Sequence, residues 1–93
     1  MKIRYYLDSV TDQPHIYDHG VSEEEVEQVL LGAGDDMPGT RGSRIKLGQT
    51  YAGRYLQVVY SPDEGERSVF VITAFDLKNK AKQAYRRRRR RGR

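Results

Sequence analysis

The apolar positions of the chain fall into short runs with two different periods. KIRYYL, near the N-terminus, gathers isoleucine, tyrosines and leucine and predicts a first strand. In SVTDQPHIYDHG, Thr11 or Asp12 is placed to cap a short helix that carries Pro14 in its first turn and ends at Gly20. VSEEEVEQVLLGAG then changes to a helical period. Val26, Val29 and Leu30 share one face, Ser22 and Glu25 have the spacing of a capping box, and Gly32 and Gly34 stop the helix. The acidic run Glu23 to Glu25 lies where the helix dipole favours negative charge, so it needs no catalytic role.

DDMPGTRGS is punctuated by glycine and proline and predicts a loop. Beyond it the period becomes two. In RIKLGQT, Ile45 and Leu47 point one way, Arg44 and Lys46 the other. YAGR predicts a hairpin connection, RYLQVVYS a strand, PDEGE a turn and RSVFVITAF the third strand of a meander. That last run is apolar on both faces, with Val69, Val71 and Thr73 opposite Phe70, Ile72 and Ala74, as suits a central strand covered on both sides. Asp76 is placed to cap a final helix over about residues 77–91. Leu77, Ala81, Ala84 and Tyr85 would form its packing stripe. The predicted order is β-α-α-β-β-β-α, an α+β domain with an antiparallel meander packed against helices.

Composition narrows the class. The 93 residues suffice for one domain with a modest core. No apolar run approaches membrane-spanning length, and MKIRYYLDSV lacks the apolar stretch of a signal peptide. A cytoplasmic protein with no membrane association is expected. With no cysteine and two histidines, no metal or other cofactor is expected. His15 and His19 have helical i, i+4 spacing, but no third ligand is indicated.

Charge changes the picture most. Met1 to Phe75 carries 7 basic and 12 acidic residues, whereas Asp76 to Arg93 carries 10 basic and 1 acidic, so a body of net −5 bears an end of net +9. A cationic end attracts phosphates, with strong salt dependence. Arginine favours helix and suits a helix C-terminus, so the run Arg86 to Arg91 reads as a continuation of the final helix.

Three stretches together carry a family resemblance: HGVSEEEVEQVL, RIKLGQTYAGRYLQVVY and VFVITAFDLKNKAKQAYRR. From about Asp18 to Arg88 the chain resembles the BrnT-like toxins of bacterial toxin–antitoxin pairs, within the RelE/ParE-like superfamily. The most specific parts are His19-Gly20-Val21-Ser22, the stretch from Leu47-Gly48 through Thr50 to Gly53-Arg54, and Thr73-Ala74 followed by Tyr85. The resemblance implies a RelE/ParE-like fold and a metal-independent endoribonuclease that acts on mRNA, on or off the ribosome, and inhibits translation. It also implies a cognate antitoxin as partner. Phe75 and Asp76 follow Ala74 where the family has an arginine, and Ala81 or its neighbours Lys80 and Lys82 replace a family glutamate.

Metal-free RNA cleavage needs a base for the 2′-hydroxyl, cations for the phosphate and an acid for the leaving oxygen. By the resemblance, Arg44, Lys46, Arg54 and Tyr85 are the catalytic candidates. Lys82, Arg86, Arg87, Arg88 and Arg90 are the candidates for holding RNA, and His19 is a further possibility. Each has a plainer alternative. Arg44 and Lys46 can form the solvated face of a sheet, Tyr85 can be core, and His19 can bond to the turn that follows it. Gly48 and Gly53 read as turn or bulge glycines. A non-catalytic RNA- or ribosome-binding module, and a domain docking an acidic protein through its basic helix, are the competing functions.

Overall fold

The computed structural model describes residues 1–63, 65 and 67–91. It is a small α+β protein with a five-stranded mixed sheet and two α-helices among the described residues. Strands β1 (Lys2–Tyr5), β2 (Asp35–Pro38), β3 (Arg44–Gln49), β4 (Tyr55–Pro62) and β5 (Ser68–Asp76) lie in the order β1-β5-β4-β3-β2. The β2-β3-β4-β5 ladder is antiparallel, and β1 adds to β5 in parallel. A 3-10 helix spans His15–His19, α1 spans Glu23–Leu31 and α2 spans Asn79–Arg91. No described helix is long and apolar enough to cross a membrane.

The two helices lie on opposite faces of the sheet. On the first face, Val26 and Val29 of α1 and Ile16 of the 3-10 helix pack against Leu56, Val58, Val71 and Ala74. On the second, Tyr85 of α2 and Leu77 pack against Leu47, with Met37, Ile45 and Tyr55 around them. The capping box of α1 forms as its sequence predicts: Glu25 N donates to Ser22 Oγ and Ser22 N to Glu25 Oε1. The hairpin over YAGR also forms, with Gly53 at φ 98° and the Arg54 N–H donating to Thr50 Oγ1. The turn expected over PDEGE includes Glu64 and Glu66, which lie outside the described residues.

Four expectations need correction. DDMPGTRGS is not all loop, because Asp35–Pro38 is an edge strand. Aspartate disfavours strands, but here Asp35 meets Arg88 and Asp36 meets Arg44, and an edge tolerates Pro38. Thr11 and Asp12 do not cap a helix. Thr11 Oγ1 accepts from Gln13 N, and Asp12 adopts a left-handed φ of 59°, so the helical turn begins only after Pro14. Asp76 ends β5 rather than capping α2, and its carboxylate is bound to Arg54. The sheet is mixed rather than a pure antiparallel meander, because β1 returns beside β5.

The faces of β5 also shift. Val59 pairs with Thr73 and Tyr60 with Val71, which leaves Ile72 without a partner on β4. This bulge re-aims the strand. Ala74 joins Val69 and Val71 in the first core, and Thr73 turns to the second face. There Phe70, Ile72, Thr73 and Phe75 are only half-buried, since α2 covers the other side of the sheet, around Tyr55 and Leu47. The strand is interior, yet one of its faces is incompletely covered. In the α2 stripe, Leu77 and Tyr85 are buried and Ala84 half-buried, while Ala81 is exposed.

Gly48 is a buried strand residue rather than a turn glycine. A Cβ there would stand 2.9 Å from Val29 Cγ1, so its missing side chain sets how closely α1 approaches β3. Gly48→Ala is expected to lower the unfolding free energy by about 1–2 kcal/mol through overpacking. A urea titration would read this as a lower midpoint, and an unchanged midpoint would contradict the close approach.

Candidate functional site

The four catalytic candidates do not converge. Arg44 and Lys46 share the α1 face of β3, opposite Ile45 and Leu47, as their alternation predicts. Each is engaged there. Arg44 Nε donates to Asp36 Oδ1 at 2.8 Å. Lys46 Nζ donates to the carbonyls of Leu30 and Gly32, at 3.3 and 2.9 Å, and so closes the C-terminus of α1. Two hydrogen bonds hold the Asp36 carboxyl below its usual range against the opposing effect of burial, one from the Tyr60 hydroxyl and one from Arg44. Burial and the same contact push the Tyr60 phenol up to about 12.

Arg54 sits at the other end of α1, a helix length of about 13 Å from Lys46. Its guanidinium makes a bidentate pair with Asp76, at 2.7 Å from Nε and 3.2 Å from Nη2. It also donates to Glu25 Oε1 at 3.0 Å, to the Gly20 carbonyl at 2.8 Å and to the His19 carbonyl at 3.4 Å. These contacts join the 3-10 helix, the first turn of α1 and the end of β5. Tyr85 lies on the opposite face, 2 % exposed, in edge contact with Tyr55. Burial raises its phenol pKa, so it holds its proton more tightly than a free tyrosine.

The RNA-holding candidates are all on α2, and the arginine run is helical through Arg91; Gly92 and Arg93 lie outside the described residues. The helix is pinned by three kinds of contact. Tyr85 is buried, Lys82 Nζ and Arg86 Cζ lie over the Tyr55 ring at 5.1 and 5.8 Å, and Arg88 Nε donates to Asp35 Oδ2 at 2.7 Å. Lys82 and Arg88 thus face the sheet. Among the described residues, Arg87, Arg89, Arg90 and Arg91 form no ion pair. Arg86, Arg87, Arg90 and Gln83 border a shallow groove of about 270 Å³ on the outer side.

A larger cleft was not foreseen from the sequence. It occupies the uncovered part of the second sheet face, between the 3-10 helix and the start of α2, with a volume of about 900 Å³. Tyr6, His15, His19 and Phe75 form a connected series of rings beside it, with successive centroids 6.1, 5.4 and 5.8 Å apart. His19 therefore places its ring in the cleft while its backbone carbonyl serves Arg54. The signals were present in the sequence: an aromatic and apolar second face on β5, and two histidines four residues apart. What the sequence could not supply was the footprint of α2.

His15 and His19 gain no common third ligand. Instead Asp8 and Asp18 gather around His15, their oxygens 3.7 and 3.4 Å from Nδ1. Asp8, His15 and Asp18 are the residues that could hold a cation, with donor atoms all within 4.8 Å of one another. Asp8 also accepts from Val10 N, a contact that folds the loop and holds its carboxyl below the usual range.

The fold and these surfaces define a small α+β protein with a docked cationic helix beside an aromatic cleft. No protein-family model matches the chain, and no curated protein or solved structure matches it either.

Arg54→Met is expected to destabilise the fold by about 2 kcal/mol at neutral pH, since it removes charge-assisted bonds to three elements. The Arg54 hydrogen bond holds the Asp76 carboxyl below its usual range. That contribution is present above the unfolded carboxyl pKa and is lost as pH falls through the lower folded value. Asp76 is 44 % exposed, so solvent screens part of it. Thermal melts between pH 7 and pH 2 should show a shallower acid decline for the variant than for the wild type. Parallel declines would mean that this pair does not contribute.

Proposed function

We propose that the protein acts on RNA, and that it is a BrnT-like toxin of the RelE/ParE-like superfamily that engages RNA phosphates through α2. One observation carries the reading: the arginine run is a docked helix rather than a detached tail. Tyr85 anchors it, and Arg87, Arg90 and Arg91 project from an acidic body without ion pairs among the described residues. Fixed cations along one helix match the regular charge of a nucleic-acid backbone, and binding of this kind releases counterions. The superfamily topology is supported by the antiparallel β3-β4-β5 meander with α1 on one face and a C-terminal helix after it.

Within that reading, binding is better supported than cleavage. Arg44, Lys46 and Arg54 spend their donors on Asp36, on the end of α1 and on Asp76 with Glu25. This favours the second reading, an RNA- or ribosome-binding module without catalysis. The toxin reading brings a cognate antitoxin as partner, and an acidic antitoxin segment would compete with RNA for the same helix.

Deleting residues 86–93 is expected to weaken RNA binding by about tenfold or more near physiological salt and to flatten the dependence of log affinity on log salt. Fluorescence anisotropy across a salt series measures both. Unchanged affinity and slope would remove α2 from the interface. RNA incubated with the wild type in the presence of a chelator decides catalysis: cleavage supports the endoribonuclease, and intact RNA with retained binding supports the module.

A further inference from the structure

The cleft between the 3-10 helix and α2 has a composition that α2 alone does not explain. One wall is aromatic, formed by Tyr6, His19 and Phe75. Gln57 and Thr73 line it from the sheet, and Lys78 stands beside it just before α2. Thr73 Oγ1 is, among the described residues, a buried side-chain polar atom with no hydrogen-bond partner. That hydroxyl is closed to a solvent-sized group, so it is a cost to the fold rather than a ligand contact. The bulge at Ile72 is what turns Thr73 to this side of the sheet.

We propose that this cleft receives one unstacked nucleotide of the RNA whose phosphates α2 holds. The base packs against the rings of His19 and Phe75, its polar edge meets the Gln57 amide, and its phosphate lies toward Lys78. Each part of the site answers one part of a nucleotide. Aromatic faces accept any base, because every base has a π-face. The Gln57 amide can both donate and accept, which suits a base edge. The size falls within the usual range for small-ligand sites. Position also fits. Ala81 borders the cleft, and Arg87 lies six residues further along the same helix, a rise of about 9 Å. Their side chains differ by about 240° around the helix, so a strand held by Arg87 crosses α2 to reach the cleft mouth. β5 is paired to β4 on one edge, but its pairing with β1 ends at Val71, so a peptide is the competing occupant that the measurements below separate.

The proposal rests on the RNA reading of α2, and two measurements on the full chain separate them. The first compares affinity for a uridine oligoribonucleotide with that for its abasic counterpart of equal phosphate number. The wild type should lose about tenfold without bases. Phe75→Ala and Gln57→Leu should bind both oligomers alike, with the salt slope unchanged. Arg87→Gln with Arg90→Gln should lower the slope and keep the base preference. Gln57→Leu keeps the side-chain size at a half-buried position, so it should fold as the wild type does. The second measurement titrates the four nucleoside monophosphates against the Gln57 side-chain amide and His19 ring signals by NMR. Shifts at these groups that Phe75→Ala abolishes support the site. Equal wild-type affinity for base-bearing and abasic oligomers overturns the cleft and leaves the α2 reading standing. Absence of all RNA binding overturns the α2 reading, and the monophosphate titration then decides the cleft by itself. Shifts with an acidic peptide but none with any monophosphate overturn it in favour of a protein partner.

Discussion

The placement of the 3-10 helix and α1 against the end of β5 depends on the guanidinium of Arg54. Its donors reach a carboxylate at the end of β5, a carboxylate in the first turn of α1 and two carbonyls at the end of the 3-10 helix. Arginine is suited to this because its planar fork engages Asp76 with two nitrogens and still has donors in other directions. Glu25 serves two partners at once, the N-cap backbone of α1 and Arg54, so capping and tertiary assembly are one event. The desolvation of a partly buried cation is offset by two carboxylates and two carbonyls, and this is why the 3-10 helix can sit against β5 with little apolar contact beyond Ile16 and Val21.

From that clamp the two faces of the sheet acquire different characters. The first face receives α1 and the 3-10 helix and forms a continuous apolar core from Val26 to Val71. The second receives only α2, which enters the sheet through Leu77 and Tyr85 beside Leu47 and Tyr55. One helix is too narrow to cover five strands, since strands lie about 4.8 Å apart and a helix with its side chains is about 10 Å across. The half-covered β5 face therefore follows from the choice of docking site, where Tyr85 buries against Leu47 and Tyr55 and Arg88 meets Asp35 of β2.

Local chemistry was legible in the sequence, and long-range pairing was not. The capping box at Ser22 and Glu25, the hairpin at Gly53, the alternation of Arg44 to Leu47 and the helical state of the arginine run all follow from neighbours a few residues apart. The edge strand at Asp35–Pro38 escaped because its stabilising cations, Arg44 and Arg88, are remote in sequence or on another layer. Arg54 looked like a reactive cation because nothing nearby in the chain would occupy it. Its partner Asp76 lies 22 residues away, and residue type alone cannot distinguish a clamp from a phosphate ligand. The bulge at Ile72 was equally invisible, and with it the turning of Thr73 toward the cleft.

The charge asymmetry takes on physical meaning once α2 is placed. Six adjacent arginines repel one another, and a helix C-terminus relieves only part of that through its dipole. Of the six, Arg88 alone forms an ion pair with the body among the described residues, and Arg86 lies over Tyr55. The anchoring therefore concentrates around Tyr85 and Arg88, while the helix continues about 9 Å beyond Tyr85 to Arg91. Its outer cations are held at fixed spacing yet left unneutralised. Several carboxylates that could quench them are committed elsewhere: Asp36 to Arg44, Glu25 and Asp76 to Arg54, and Asp63 to Arg4. Pairing within the body thus helps to leave the cationic helix as a surface for an anionic partner. A substitution that frees one of those carboxylates would act on that surface without touching it.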